Sequence, residues 1–517
     1  MDRNDRRVRV SESRSETTAQ AERASGYREW GNLIGGEFRE SVSAQRIDVL
    51  EPATGAVLGS VPDSTAEDVD HAVVEAARAY RDVWSGFSAR ERGGCLLRIA
   101  NAIREVAAEL AELEARDVGK PLEVARNYDL RATGDTFEYF GGMADKLAGE
   151  YIPQGPINAH TVLEPVGVAA GILPFNWPPI HVAGKAGPAL AAGNTVVLKT
   201  AEQAPLTVLR IAEIMQEHLP NGVINVVSGS GAPGAALAAH PGIGVLSFTG
   251  STKTGRAVLR SLADNLTPAL VELGGKNPFV VFADADLELA LKGAVEGMFF
   301  NQGEACSAAS RLVLDEAIAD EFLARLIPAV EGLVVANPLE DATAIGPMVT
   351  AQQRTRVLDY IETGKAEGAE VVAEGKLPSD PALANGFFVA PTLFDQVTPG
   401  MRIVQEEIFG PVSVVQRFTS YEEAMELANC TEFGLVSAVY SQDVMTVERA
   451  SSDIEAGVVM VNNYNRGYLG TPFGGVKSSG YGREHALETI REFVRTKNVR
   501  TLSGRGQVYV WPPAQDV

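Results

Sequence analysis

Residues 299–310 read FFNQGEACSAAS and carry a single cysteine, Cys306, with no second cysteine or histidine nearby. A lone cysteine is more often a buried, space-filling thiol than a nucleophile. Here Gly303, Ala305, Ser307 and Ala308 leave room around it, and Gln302 and Glu304 keep the segment polar. A thiol flanked in this way stays accessible, as reactivity demands, and could attack an electrophilic carbon. Two other positions could serve such an attack. Glu272 sits inside the apolar run ALVELGGKNP, where desolvation would raise its pKa toward the range of a general base. The competing reading is a structural ion pair with Lys276. Asn176 lies in GILPFNWPP, between two aromatics and two prolines. A rigid, dry turn of that kind could aim an amide at a developing oxyanion, or it is simply a turn.

A second group of residues suits a dinucleotide. SGSGAPGAALAAH contains G-x-G-x-x-G (Gly229, Gly231, Gly234) between a predicted strand and a predicted helix, but no acidic residue follows at the usual spacing. FTGSTKTGRAV places Gly250, Ser251 and Gly255 at a predicted helix start, either a pyrophosphate site or an ordinary capped terminus. In VVLKTAEQAP, Lys199 and Glu202 fall just beyond a strand's carboxyl end, where open α/β sheets bind ligands. A carboxylate there accepts from ribose hydroxyls and repels a 2′-phosphate, which favours NAD over NADP. The plainer reading is two solvated loop charges.

These residues need a frame to hold them. Short apolar runs alternate with helical stretches from about residue 164 to 274, and again after Gly275. That alternation predicts parallel sheets wrapped by helices, an α/β fold. Thr65 reads as the N-cap of a helix with an apolar stripe, and Cys95 as a core residue of a later helix. A chain of 517 residues is expected to split into more than one domain.

The net charge of −22 disfavours nucleic acid and anionic membranes as partners. No apolar run is long enough to span a bilayer. The cysteines Cys95, Cys306 and Cys430 are odd in number and scattered, which fits a reducing, cytoplasmic setting. No His or Cys pair has zinc-ligand spacing, so no metal is expected. Residues 1–27 mix Arg with acids and read as a disordered tail rather than a targeting signal.

Taken in order, Asn176, Lys199 with Glu202, FTGS, ELGGK, NQG-x-x-C, EEIFGP and PFGG-x-K-x-S-G resemble the aldehyde dehydrogenase superfamily over about residues 28–503. The resemblance implies a Rossmann-like cofactor-binding domain (28–146 and 164–274) and a second α/β catalytic domain (275–476). It also implies a small β oligomerisation arm with a C-terminal segment (147–163 and 477–503), then a tail (504–517). It implies that Cys306 attacks an aldehyde, that Asn176 and the Cys306 N–H hold the oxyanion, and that Glu272 activates water against the resulting thioester. Glu484 matches a position credited with proton relay. Lys199, Glu202, Gly231, Phe248, Gly250, Ser251, Gly255, Glu407 and Phe409 would contact NAD. Trp177, His181, Phe300, Ala305 and the 464–473 loop, with Arg466 and Phe473, would line the aldehyde tunnel. Aromatic walls suit a hydrophobic or aromatic aldehyde. Arg466 would instead favour a semialdehyde bearing a carboxylate. A coenzyme A-acylating enzyme and a non-catalytic protein on the same fold are the competing functions. The chain departs from the family pattern in two places. Phe175 and Trp177 exchange the usual aromatic order, and Glu304 stands where glutamine is commoner. The arm predicts a homodimer or homotetramer.

Overall fold

The computed structural model describes residues 27–465 and 467–508. The expected N-terminal tail, apart from Tyr27, lies outside the described residues, as do Arg466 and residues 509–517 of the expected C-terminal tail.

Local chemistry starts the elements where the pattern places them. Thr65 accepts from the Asp68 N–H and the Asp68 carboxylate accepts from the Thr65 N–H, a reciprocal cap on helix Ala66–Asp82. That helix buries Val69, Ala72, Val73, Ala76 and Ala79 on one stripe. Cys95 is buried on helix Ala89–Glu105, as expected of a core residue.

Among the described residues, the largest sheet has a parallel centre. Strand Val168–Ile172 lies between Thr195–Lys199 and Val245–Thr249, with Ile224–Val227 and Ala269–Glu272 outside them. Successive strands therefore step away from Val168–Ile172 first on one side and then on the other. The reversal leaves a crevice at the carboxyl ends of Val168–Ile172 and Val245–Thr249. These strands are buried on both faces, which explains their unbroken apolar runs. The hairpin of Asn32–Ile34 and Glu37–Arg39 extends one edge, and Gly480–Tyr481 pairs antiparallel with Val271 and Glu272 at the other.

A second sheet repeats the logic. Pro278–Val281 lies between Arg311–Asp315 and Val436–Tyr440 in parallel register. Helix Leu287–Phe299 crosses between the first two strands and delivers the cysteine loop. A third sheet joins Val494–Leu502 to Ile157–Pro165 over their full lengths, with Tyr151–Gln154 as an exposed outer strand.

Arg311 ties the second sheet together. It is fully buried, and burial pushes its pKa down to about 10. Its guanidinium donates to the Lys276 carbonyl at 2.9 Å, the Ala428 carbonyl at 2.7 Å and the Leu427 carbonyl. Replacing it by Met would strand these acceptors in the interior. We expect Arg311→Met to lower the unfolding free energy by about 3 kcal/mol, measured by denaturant titration.

Candidate active site

A cavity of about 430 Å³ opens at the crevice in the large sheet. Ile172, Lys199, Thr249 and Glu272 border it, each from the carboxyl end of its strand. Gly231 and Ser251 border it from the starts of helices Gly231–Ala239 and Thr252–Ala263. The cysteine loop closes its inner end, so Cys306, Asn176 and Glu272 all face the same space.

The loop is held in an unusual shape. Asn301 and Gln302 have φ of 54° and 47°, in the left-handed region that non-glycine residues rarely adopt, and Gly303 follows at 72°. Side-chain amides hold this strained turn. Asn301 Nδ2 donates to the Asn176 carbonyl at 3.2 Å and the Glu304 carbonyl at 3.1 Å. Asn277 Nδ2 donates to the Cys306 and Ala308 carbonyls, both at 2.8 Å. A Cβ on Gly275 would lie 2.5 Å from the Cys306 carbonyl oxygen, so only glycine lets the ELGGK turn pack there. The Asn176 amide donates one hydrogen to the Glu304 carbonyl at 3.1 Å, which fixes its orientation and leaves its second N–H to offer.

Charge is arranged around the sulfur. Burial pushes the Glu272 carboxyl up to about 8, and the Glu484 carboxylate adds to the shift. Neither Glu272 oxygen has a hydrogen-bond partner of good geometry, and Glu272 forms no ion pair with Lys276 among the described residues. It interacts with the Cys306 thiol, which draws the carboxyl pKa back slightly. Burial, then Glu272, raises the thiol well above its ordinary value, so the resting sulfur holds its proton. Glu484 itself stays ionised. Burial would raise it, but Lys185 at 3.0 Å, with His181 and His485 adding to its pull, outweighs burial and holds it at about 2. Lys185 also donates to Ser247 Oγ at 2.9 Å and Thr249 Oγ1 at 2.8 Å.

The cofactor-side residues expected from the sequence fall on the cavity wall with one exception. Lys199, Glu202, Gly231, Phe248, Gly250 and Ser251 border it, and so do Glu407 and Phe409. Gly255 does not. It faces Leu273, where a Cβ would come within 2.4 Å of a side-chain methyl, so it serves helix-to-sheet packing. Ser251 does cap its helix, accepting from the Thr254 N–H at 3.2 Å. The residues expected to face substrate lie outside the cavity wall, several of them packed beside Cys306. Trp177, Ala305, Ala308 and Phe300 cluster there with the cysteine. His181 is buried, and burial followed by Lys185 holds it neutral with a pKa of about 3. Phe473 stacks on His485 at 5.5 Å.

A family model described as the aldehyde dehydrogenase family matches residues 38–499. The chain belongs to the aldehyde dehydrogenase family. It is 45% identical over 484 residues to the aldehyde dehydrogenase citD of Monascus ruber, covering 93% of this chain and 96% of that one. It is 41% identical over 472 residues to the betaine aldehyde dehydrogenase of Bacillus subtilis, covering 90% and 96%. Among solved structures, PnpE from Pseudomonas sp. WBC-3 superposes with a TM-score of 0.91 at 42% identity, covering 93% of this chain and 99% of that one. PnpE in complex with nicotinamide adenine dinucleotide gives 0.90 at 43% identity, covering 92% and 98%.

The cavity of this aldehyde dehydrogenase fits a nicotinamide cofactor on its own chemistry. Its volume lies in the range of small-ligand sites, and two helix starts face it. Glu407 Oε1 accepts from the Gly275 N–H at 3.0 Å, and a Cβ on Gly274 would lie 2.2 Å from Oε2, so a glycine pair seats that carboxylate on the wall. Sequence reasoning missed Lys185, Lys120, Gln353 and Arg356. Lys185 had a visible signal, as a lone cation in the otherwise apolar helix Pro178–Ala192. Lys120 is completely buried, pairs with Glu114 and Asp129, and donates to the Asn176 carbonyl at 2.8 Å. Among the described residues, no group of three His, Cys, Asp or Glu side chains is placed to hold a metal, and no helix is long and apolar enough to cross a membrane.

Because the resting sulfur keeps its proton, iodoacetamide labelling of Cys306, followed by peptide mass spectrometry, is expected to be slow at about pH 7 and to climb continuously to about pH 10. A flat profile would mean a thiolate at neutral pH.

Proposed function

We propose that this aldehyde dehydrogenase oxidises a hydrophobic or aromatic aldehyde to the free carboxylic acid with NAD. The observation that carries this reading is the meeting of Cys306, Asn176 and Glu272 at the inner end of one cavity. Glu272 accepts the thiol proton, and its raised basicity brings the two groups closer to balance. The sulfur then adds to the carbonyl carbon and forms a thiohemiacetal. Its oxyanion accepts from the remaining Asn176 amide hydrogen and the Cys306 N–H. The nicotinamide, when bound, supplies the hydride acceptor, and the carbon is left on Cys306 as a thioester. Glu272 releases the thiol proton to solvent and, again a carboxylate, takes a proton from water. The water oxygen bonds to the acyl carbon, the carbon–sulfur bond breaks, and the acid leaves with the sulfur regaining its proton. Glu484, paired with Lys185, is read as a fixed negative neighbour that keeps Glu272 basic.

Lys199 and Glu202, 3.3 Å apart at the cavity wall, support NAD over NADP, since a carboxylate there repels a 2′-phosphate. Trp177 supports a neutral substrate. The Lys120 ammonium already stands 5.9 Å from its ring centroid, so the indole face is not free to recognise a cationic aldehyde as an aromatic cage would. The exposed outer strand Tyr151–Gln154 supports pairing with another copy, as a homodimer or homotetramer. The free cysteines suit a cytoplasmic setting. The first and second large sheets are read as the cofactor-binding and catalytic domains.

The test is a panel of aromatic, aliphatic, carboxylate-bearing and quaternary-ammonium aldehydes with NAD or NADP, with and without coenzyme A. We expect the highest kcat/KM for neutral aromatic aldehydes with NAD and no need for coenzyme A. An absolute need for a thiol acceptor, or a clear preference for a charged aldehyde, rejects the corresponding part of the reading. Cys306→Ala should abolish turnover. Glu272→Gln should lower kcat by about 100-fold or more, in the range seen when a general base is lost. Glu272 acts as the carboxylate, so native kcat should rise as pH passes through about 8, and the Gln variant should lose that rise.

A further inference from the structure

We propose that Glu304 is a positioning residue whose carboxyl group ties the Cys306 loop to the cavity wall carrying Gln353 and Arg356. The kinetic part of this proposal rests on the dehydrogenase reading above; its structural part does not. One carboxyl oxygen accepts from the Val349 N–H at 3.1 Å, and the other accepts from Gln302 Nε2 at 3.1 Å. Val349 leads into helix Ala351–Glu367. From that helix Gln353 donates to the Phe409 carbonyl at 2.7 Å and Arg356 to the Glu407 carbonyl at 2.7 Å. The Glu304 side chain therefore links the strained turn before Cys306 to the residues that seat Glu407 and Phe409. Its backbone strengthens the link. The Glu304 carbonyl accepts from both Asn176 and Asn301, and its N–H donates to the Asn301 carbonyl at 2.9 Å.

Glutamine has nearly the same shape and could hold the same tie, but it has no proton to lose. Glu304 is completely buried, and burial pushes its carboxyl up to about 8 against the opposing pull of Val349 and Gln302. The charged group acting on it is Lys120, and that ammonium is already shared between Glu114 and Asp129. The helix after Val349 brings Arg354 and Arg356, but both turn to backbone carbonyls elsewhere, those of Phe388 and Glu407. Its own loop adds Cys306, which holds its proton at rest. Among the described residues, no neighbouring cation is therefore free to neutralise an ionised Glu304. As the neutral acid, one oxygen accepts from the Val349 N–H and the other from Gln302 Nε2, so the tie needs no charge on Glu304. Proton loss places an unneutralised charge in the interior beside a turn already held in left-handed geometry. The loop that presents Cys306 is thereby loosened at alkaline pH.

Two variants test this. Glu304→Gln keeps the tie without a titratable proton, and Glu304→Leu removes it. The folded-state pKa of Glu304 lies above its unfolded value, so its contribution to stability is complete below about pH 4 and is lost as pH rises through about 8. The melting temperature of Glu304→Gln should therefore exceed that of the native enzyme by a margin that widens between about pH 5 and about pH 9. Iodoacetamide labelling of Cys306 and kcat should agree within about twofold at about pH 6.5 and diverge above about pH 8. Glu304→Leu should lower kcat at least about tenfold at every pH, with aldehyde KM changed less than about threefold. Superimposable melting and labelling profiles for native and Glu304→Gln, or native kcat in Glu304→Leu, overturn the proposal. If Glu304→Leu does not fold, the Gln variant decides. If no aldehyde is oxidised, the melting and labelling profiles still decide, so failure of the dehydrogenase reading is seen separately.

Discussion

The Cys306 sulfur and the Glu272 carboxyl share one poorly solvated corner that favours a single negative charge. Burial raises both groups, and the Glu272 carboxylate further raises the cost of charging the sulfur, while the neutral thiol eases the charging of Glu272 slightly. A thiol beside a distant base would stay inert, and a thiolate facing an ionised glutamate would carry two unscreened charges. Here burial raises the carboxyl as well as the thiol, so the proton passes to a stronger base than an ordinary glutamate would offer. Lys185 and Glu484 set the balance from behind. Lys185 is satisfied by Glu484, Ser247 and Thr249 and is not available to stabilise either reacting group by direct contact. The negative charge it maintains on Glu484 keeps Glu272 basic.

Such a corner works only if the backbone holds the sulfur in place. Three consecutive residues before Glu304 occupy the left-handed region, and two of them are not glycine. That costs on the order of a kilocalorie per mole or more for each, so the surroundings must over-determine the turn. They do so with amides rather than charges. Asn176, Asn277 and Asn301 together donate to the carbonyls of Glu304, Cys306, Ala308 and Asn176 itself. Neutral donors can hold carbonyls in a dry site without adding a field that would trap the thiolate or disarm Glu272.

Much of the frame could be read along the chain. The alternation of apolar runs and helical stretches announces parallel sheets, because strands buried on both faces must be apolar throughout. Thr65 announces its helix because a cap is a local event. The inner end of the site was legible through residue type: a cysteine among small residues, and a glutamate stranded in an apolar run. Long-range pairing was not. Lys185 meets Glu484 from 299 positions away, and Lys120 meets Asn176 from 56. No periodicity encodes such encounters, since they arise only when separate sheets are docked. Gly255 shows the opposite error. It was expected among the cofactor contacts at a helix start, whereas it makes room for Leu273.

The exchanged aromatics on either side of Asn176 have a consequence for both flanks of the site. Phe175 borders the cavity and meets Phe409 edge-on at 5.6 Å, so a phenyl ring faces the proposed cofactor side. Trp177 points to the other flank, packing with Ala305 and Ala308 beside Cys306. The larger ring therefore takes up space on the proposed substrate side, where small residues of the cysteine loop would otherwise leave a wide opening. Ala305 and Ala308 are small because the indole lies against them, and the indole is tolerated because they are small. A flat acceptor carbon would be steered toward the sulfur by that wall rather than by charge. His181 is held neutral and Lys120 is already paired, so the proposed substrate side offers shape and apolar contact rather than charge.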